Sequence, residues 1–355
     1  MVGKYWPAGT KVIHLVDAEA KESAAHLGIS NVLQMERSAA SLLEQLEKHP
    51  HADILLQYAG RGYDRYGCPF WMLSALKKWR KNHPAQKLVV FFHELWGKVP
   101  WTNKLIITET ASRWISRRLA SLADVVLTNT PHHSERLSSA FGIKAIDYVP
   151  VGANISPEGS TLLPFSKRNT GDFAVLTAPY GRLLMFKEMS ESLKTLHQKG
   201  LLNCLHIIGP SDPRWTPQEK EILDQCLPPE KVKVHGILPV EEVSHVLNSC
   251  AFALLCQAEE SLLKSTAFMA FASHQNVVVN PLVKTWQHEP QSYLVKPEDI
   301  WEKADNPDYF SRKGLGLHQW YLEHASWQRI THKLATACQT ATATNTATVT
   351  AAATS

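Results

Sequence analysis

The 355-residue sequence has no Cys-x-x-Cys pair, no Asp-x-Asp, no strong excess of one charge, and no apolar run near the roughly 20 residues that a membrane span needs. Its six cysteines (Cys68, Cys204, Cys226, Cys250, Cys256 and Cys338) are scattered, so neither a disulfide framework nor a zinc site is expected. A reducing cytoplasm is the expected compartment. A formal net charge of +4 permits an anionic ligand but lacks the dense basic footprint of nucleic-acid binding, so nucleic acid is not an expected partner. Met1 leads through Lys4 and Pro7 into a strand-like run, not into an apolar signal segment. Any membrane contact is expected to be peripheral, at the inner face. Without Asp-x-Asp there is no obvious ligand set for a metal-bridged diphosphate, and no metal or cofactor is expected.

What is present is alternation. Short β-rich apolar runs at Lys11–Val16, Asp53–Gln57, Lys87–Phe92, Asp124–Thr128 and Ile146–Val149 are separated by helix-period stretches such as Ala39–Lys48, Phe70–Lys81 and Ala111–Leu122. The pattern repeats with strands at Phe173–Thr177, Leu205–Ile208, Lys231–His235, Ala251–Leu255 and Val277–Asn280. Helices are predicted between them at Lys187–Gln198, Pro217–Cys226, Val240–Cys250 and Lys264–Ser273. Strands alternating with helices of this length read as βαβ units on parallel sheets. Two α/β domains follow, one over 1–155 and one over 156–338, with a polar linker at 156–169 between them. The second is expected to end in one helix over 317–338 that docks on a domain. After Gln339 a Thr- and Ala-rich segment has almost nothing to bury, and 339–355 is predicted to be a disordered tail.

Three segments are candidates for chemistry. Gly181-Arg182, close behind a strand, and Lys187, at the expected head of the next helix, would bring two cations to a crevice that favours anions. The plainer alternative is a pair of solvated surface charges. Glu259-Glu260 through Lys264-Ser265-Thr266 combines carboxylates for sugar or ribose hydroxyls with a helix start for phosphate oxygens, or is simply a capped helix. Phe92-His93-Glu94 delivers a histidine to the end of an apolar strand, where it would donate to a sugar hydroxyl or be a structural histidine bonded to backbone. Gly60–Gly67 has its third glycine misplaced for a dinucleotide fingerprint, and Gly97-Lys98 lacks the rest of a phosphate-binding loop. His132-His133, at a helix start, reads as surface. The basic, tryptophan-bearing helices over 73–81 and 111–122 read first as solvated faces and second as a peripheral contact with an anionic membrane.

Taken in order, these segments resemble the retaining glycosyltransferases of GT-B fold, family four and its relatives. Gly181-Arg182-Leu183 with Lys187 is similar to that family's G-R-L-x-x-x-K stretch, and Leu205–Pro210 to its next strand and glycine turn. Val232–Gly236 with Val240–Val243, then Ala251–Leu255 with Lys264–Val279, resemble its later strands and donor-site helix. Phe92-His93-Glu94, Asp124–Asn129 and Val149–Asn154 resemble elements of its N-terminal half, and Tyr58–Trp71 is similar to a bacterial subgroup. The likeness covers roughly residues 50 to 335.

The resemblance implies two Rossmann-like domains facing each other across a cleft. It implies transfer of a sugar from a nucleotide-diphosphate sugar to a saccharide or lipid-linked acceptor with retention, without a metal, in polysaccharide assembly. Arg182 and Lys187 would stabilise the diphosphate leaving group, His93 would touch the transferred sugar, and Glu259 or Glu260 would bind donor hydroxyls, with Gly181, Lys264, Ser265 and Thr266 beside them. Three departures stand out. The family's opening strand and glycine loop are not visible. Ala267 and Phe268 occupy the place of the second glutamate of an E-x7-E pair, and the glycine and proline of A-x-G-x-P-V are replaced within Ser273–Val277. They support an alternative: a catalytically degenerate GT-B protein that binds a nucleotide or a partner.

Overall fold

The computed structural model describes residues 2–17, 31–97, 104–143, 146–157, 161–284 and 288–351, with side chains from Gly3 to Gln339. The chain forms two compact units, Met1–Val149 with Trp327–Ser355, and Pro150–Ser326.

In the first unit β1 (His14–Val16) pairs in parallel with β2 (Val32–Gln34). A separate four-stranded parallel sheet runs in chain order through β3 (Ile54–Tyr58), β4 (Leu88–Phe92), β5 (Val125–Thr128) and β6 (Asp147–Tyr148). All of β4 is buried, as an unbroken Leu-Val-Val-Phe-Phe run requires of a strand covered on both faces. Helix Phe70–Asn82 buries Met72, Leu73, Leu76 and Trp79, and helix Ile106–Leu122 buries Ile115 and Leu119. Helix Pro131–Phe141, whose start the sequence places at His132-His133, has strong end signals, and it turns His133 inward rather than leaving both histidines at the surface. Thr130 accepts from the His133 amide at 3.1 Å, proline opens the first turn, and Gly142 closes it at φ 72°.

In the second unit β7 (Asn169–Leu176), β8 (Cys204–Ile208), β9 (Val232–Gly236), β10 (Cys250–Leu254) and β11 (Val277–Val279) form a parallel sheet of order β11-β10-β7-β8-β9. The chain moves outward from β7 through β8 to β9, then crosses to the other side for β10 and β11, which is the doubly wound Rossmann order. One face carries helices Pro179–Gln198 and Thr216–Cys226 through Met185, Phe186, Met189, Leu193 and Leu223. The other carries Val240–Ser249, Thr266–Ser273 and Pro307–His324 through Leu247, Phe268, Phe271 and Leu317.

The single helix expected over 317–338 is two, Pro307–His324 and Trp327–Ala351, parted at Ala325-Ser326. The second does not close the second unit. Its Ile330 and Leu334 are buried with Val89, Phe91, Leu127 and Val149 in the first, so the boundary expected at 338 falls at Ser326. The side chains past Gln339 and residues 352–355, where composition predicts disorder, lie outside the described residues.

Gly314 shows how tightly the second unit is closed. A Cβ built there would lie 2.6 Å from the Gln275 carbonyl oxygen, and backbone cannot swing aside as a side chain can. At an exposed helical site Gly→Ala gains up to about 1 kcal/mol. Here the overlap outweighs that gain, and Gly314→Ala is expected to lower stability by about 1–3 kcal/mol in urea unfolding. A more stable variant would show that the helix can lift away without cost.

Candidate functional site

The second unit supplies the clearest place for a ligand. The winding direction changes between β7 and β10, and in open α/β sheets ligands sit beyond the carboxyl ends of the strands at such a point. Two segments leave it. Leu176 passes through Thr177-Ala178 straight into helix Pro179–Gln198, and Leu254 passes through the loop that holds helix Glu259–Leu262 and ends at Ser265. Gly181 and the predicted stretch Glu259–Thr266 therefore flank the same switch point.

Ser265 caps helix Thr266–Ser273, its hydroxyl accepting from the Phe268 amide at 3.1 Å, and it is buried. Thr266 follows in the first turn with an exposed side chain, where the helix end favours negative charge. The Glu259 carboxylate accepts from the Lys284 amide at 2.7 Å and ties the loop after β10 to the segment after β11. Glu260 is exposed and Lys264 half-buried. Asn280 adds a second tie, donating to the Gln257 carbonyl at 2.8 Å and accepting from its amide at 3.3 Å. Gln257 carries a buried side-chain oxygen with no hydrogen-bond partner. No spacing in the sequence pointed to it.

Arg182 and Lys187 depart from expectation. The helix begins at Pro179, so Arg182 lies in its first turn and Lys187 about 12 Å along it rather than at its head. Five residues apart, the two side chains leave the helix about 140° from each other. Lys187 is exposed. Arg182 is 3% exposed, its Nε donating to Glu219 at 2.8 Å, and its Nη atoms to the Pro210 carbonyl at 3.1 Å and the Thr177 carbonyl at 3.5 Å. Its charge is spent joining the ends of β7 and β8 to helix Thr216–Cys226, so Arg182 is a structural cation. Above it Tyr180 and Trp215 meet with ring centroids 5.1 Å apart, an aromatic pair that the sequence reading also missed.

In the first unit His93 stands just past β4, its amide donating to the Tyr58 carbonyl at 2.9 Å. Its ring packs on Phe91, with centroids 4.3 Å apart. Nδ1 lies 3.1 Å from the Asn129 Oδ1, and Nε2 contacts the Gln57 Oε1. Because Asn129 donates its Nδ2 to the Val149 carbonyl, its oxygen faces the imidazole and the proton belongs on Nδ1. Both nitrogens are held by side-chain amides of neighbouring strand ends, which makes His93 a fixed polar contact at the carboxyl edge of that sheet. Among the described residues no three His, Cys, Asp or Glu side chains gather as metal ligands would.

No protein-family model and no curated protein matches the sequence. Solved structures do match the fold. A glycosyltransferase from Rickettsia africae superposes with TM-score 0.62 at 11% identity, covering 93% of this chain and 90% of its own. The Anabaena protein HepE, solved with UDP, gives TM-score 0.61 at 10% identity over 92% of each chain. The fold is GT-B. An α-glucosyltransferase solved with UDP and a DNA 13-mer matches at TM-score 0.53 and 11% identity, over 87% of this chain and 86% of its own. In GT-B terms the β7/β10 edge and the β3–β5 edge are the carboxyl ends of the two Rossmann-like units.

Proposed function

We propose that the chain is a glycosyltransferase that takes its sugar from a nucleotide-diphosphate donor held at the β7/β10 edge. The observation that carries this reading is the convergence of Glu259, Glu260, Lys264 and the Thr266 helix start on the switch point of a GT-B fold. Neighbours of that fold bind UDP or UDP-glucose, and a uridine diphosphate sugar is the donor to try first. Lys264 and the first-turn amides of helix Thr266–Ser273 would face the pyrophosphate, and the carboxylates would accept donor hydroxyls. Gly181 and Ser265 shape that edge.

The finer assignment, to the retaining family-four enzymes and a bacterial subgroup acting in polysaccharide assembly, rests on the order of motifs between Gly181 and Val279. In that reading a bond forms from the acceptor hydroxyl to the anomeric carbon while the bond to the diphosphate breaks on the same face, and the departing phosphate takes the hydroxyl proton. The proposed acceptor is a saccharide or a lipid-linked saccharide rather than nucleic acid, and the proposed reaction uses no metal. Free cysteines fit a cytoplasmic setting.

A second reading, a donor-binding protein without turnover, draws on the withdrawal of Arg182 and Lys187 from the leaving group. Titration with UDP and release of UDP from UDP-glucose distinguish the two. The enzyme is expected to do both, and Lys264→Ala to lower turnover at least about tenfold, since one cation on a leaving group carries more than about 1.4 kcal/mol. Tight UDP binding with no release over a panel of donors would establish the second reading.

A further inference from the structure

The first unit has a charge balance unlike the rest of the chain. It holds 21 Lys and Arg against 13 Asp and Glu, net +8, whereas the second unit holds 16 against 20, net −4. Much of the excess sits on two neighbouring helices, Phe70–Asn82 and Ile106–Leu122, which carry seven Lys and Arg and one acid, Glu109. That acid is turned away. Its carboxylate takes the Arg61 guanidinium at 3.1 Å and the Gly97 amide.

The outward stripe of each helix is mixed. Phe70, Lys77 and Lys81 fall at intervals of seven and four residues, as do Ile107, Trp114 and Arg118, which places each set on one line along its helix. Phe70 is 53% exposed, Ile107 74% and Trp114 43%. Phe70 and Trp114 meet across the two helices at 6.2 Å, and the Trp114 ring lies under the Lys77 ammonium at 5.6 Å and the Arg118 guanidinium at 5.3 Å. Large apolar side chains left in water inside a ring of cations mark an interaction surface.

We propose that this two-helix face docks on an anionic lipid bilayer. Phe70, Ile107 and Trp114 would enter the boundary between headgroups and acyl chains, where an indole is favoured, while Lys77, Lys81 and Arg118 reach the lipid phosphates. An aliphatic side chain as exposed as Ile107 gains nothing from a nucleic-acid backbone, which separates this surface from a basic stacking groove. No helix of the described residues is long and apolar enough to cross a membrane, so the contact lies on the surface. The inference does not depend on donor chemistry.

The test is co-sedimentation of the full chain with vesicles of phosphatidylcholine containing about a third phosphatidylglycerol, against phosphatidylcholine alone. Binding to the anionic vesicles only is expected, weakening as salt rises. Ile107→Glu with Trp114→Ala, and separately Lys77→Glu with Arg118→Glu, are each expected to lower the bound fraction at least about tenfold, with far-UV circular dichroism unchanged. Equal pelleting with both vesicle types, wild-type binding by either variant pair, or capture of a single-stranded oligonucleotide in place of vesicles would overturn the proposal. UDP release from UDP-glucose, measured without vesicles, reports on the transferase reading alone.

Discussion

Glu219→Ala is expected to destabilise the second unit by about 3–5 kcal/mol, because it leaves the Arg182 guanidinium buried without its counter-charge. Both side chains of the pair are nearly sealed, at 3% and 5% exposure, and the Nε–Oε2 separation is 2.8 Å. The other Glu219 oxygen is buried without a partner, so the pair is not fully satisfied even when intact. That imperfection sets up a contrast. Replacing both residues together, Arg182→Leu with Glu219→Leu, removes two desolvation costs along with one attraction and is expected to be much milder than Glu219→Ala, within about 1–2 kcal/mol of wild type. Chemical unfolding of the two variants beside the parent decides it. If the single substitution cost no more than a surface change, Arg182 would have access to water or to another anion, and its assignment as a structural cation would be wrong.

The second large effect is in pH. His274 has no exposed surface. Its Nε2 meets the Ser244 hydroxyl at 2.7 Å and its Nδ1 the Ala270 carbonyl at 2.7 Å. Burial, with smaller contributions from Arg168 and His318, pushes its pKa down from 6.5 to about 4. The folded chain thus keeps His274 neutral where the unfolded chain protonates it. The associated stability is complete above about pH 6.5 and is lost as pH falls towards 4, to a total of roughly 3 kcal/mol. His206, His235 and His318 are also held below 6.5, mainly by burial, and act in the same direction. Urea unfolding between pH 7.5 and 4.5 should show a steady fall in midpoint, and His274→Gln should flatten it. A midpoint that stays level across that range would mean His274 is solvated.

These two buried sites also show where the sequence was readable and where it was not. The strand cores were plain, because Leu88–Phe92 and Cys250–Leu254 are apolar runs that only a doubly covered strand can hide. The region of the switch point was legible too, because Glu259–Thr266 follows β10 directly. Arg182 was misread because Gly-Arg-Leu and Lys187 match a motif as letters, while Pro179 starts the helix a turn too soon for the loop that the motif needs. That proline was a signal available in the sequence. The residues that replace a glycine and a proline near β11 look like lost function in one dimension. In the fold His274 bonds Ser244, and Asn276 donates to the carbonyls of Leu247 and Cys250 at 2.8 Å, while Gln275 takes the left-handed turn at φ 63°. Polar residues there knit a buried turn to helix Val240–Ser249, and no spacing rule distinguishes that from a missing ligand contact. Nor could the apolar positions of the C-terminal stretch reveal which unit they join.

The return of the chain to the first unit bears on how the protein is made. Val149 and Trp327 belong to one apolar cluster, with Ile330 and Leu334 between the strands' side chains and solvent. A ribosome therefore finishes the whole second unit before it delivers the residues that seal the first. Throughout that interval Val89, Phe91 and Leu127 lack their cover, and open apolar surface of that kind is what makes partly folded chains stick to one another.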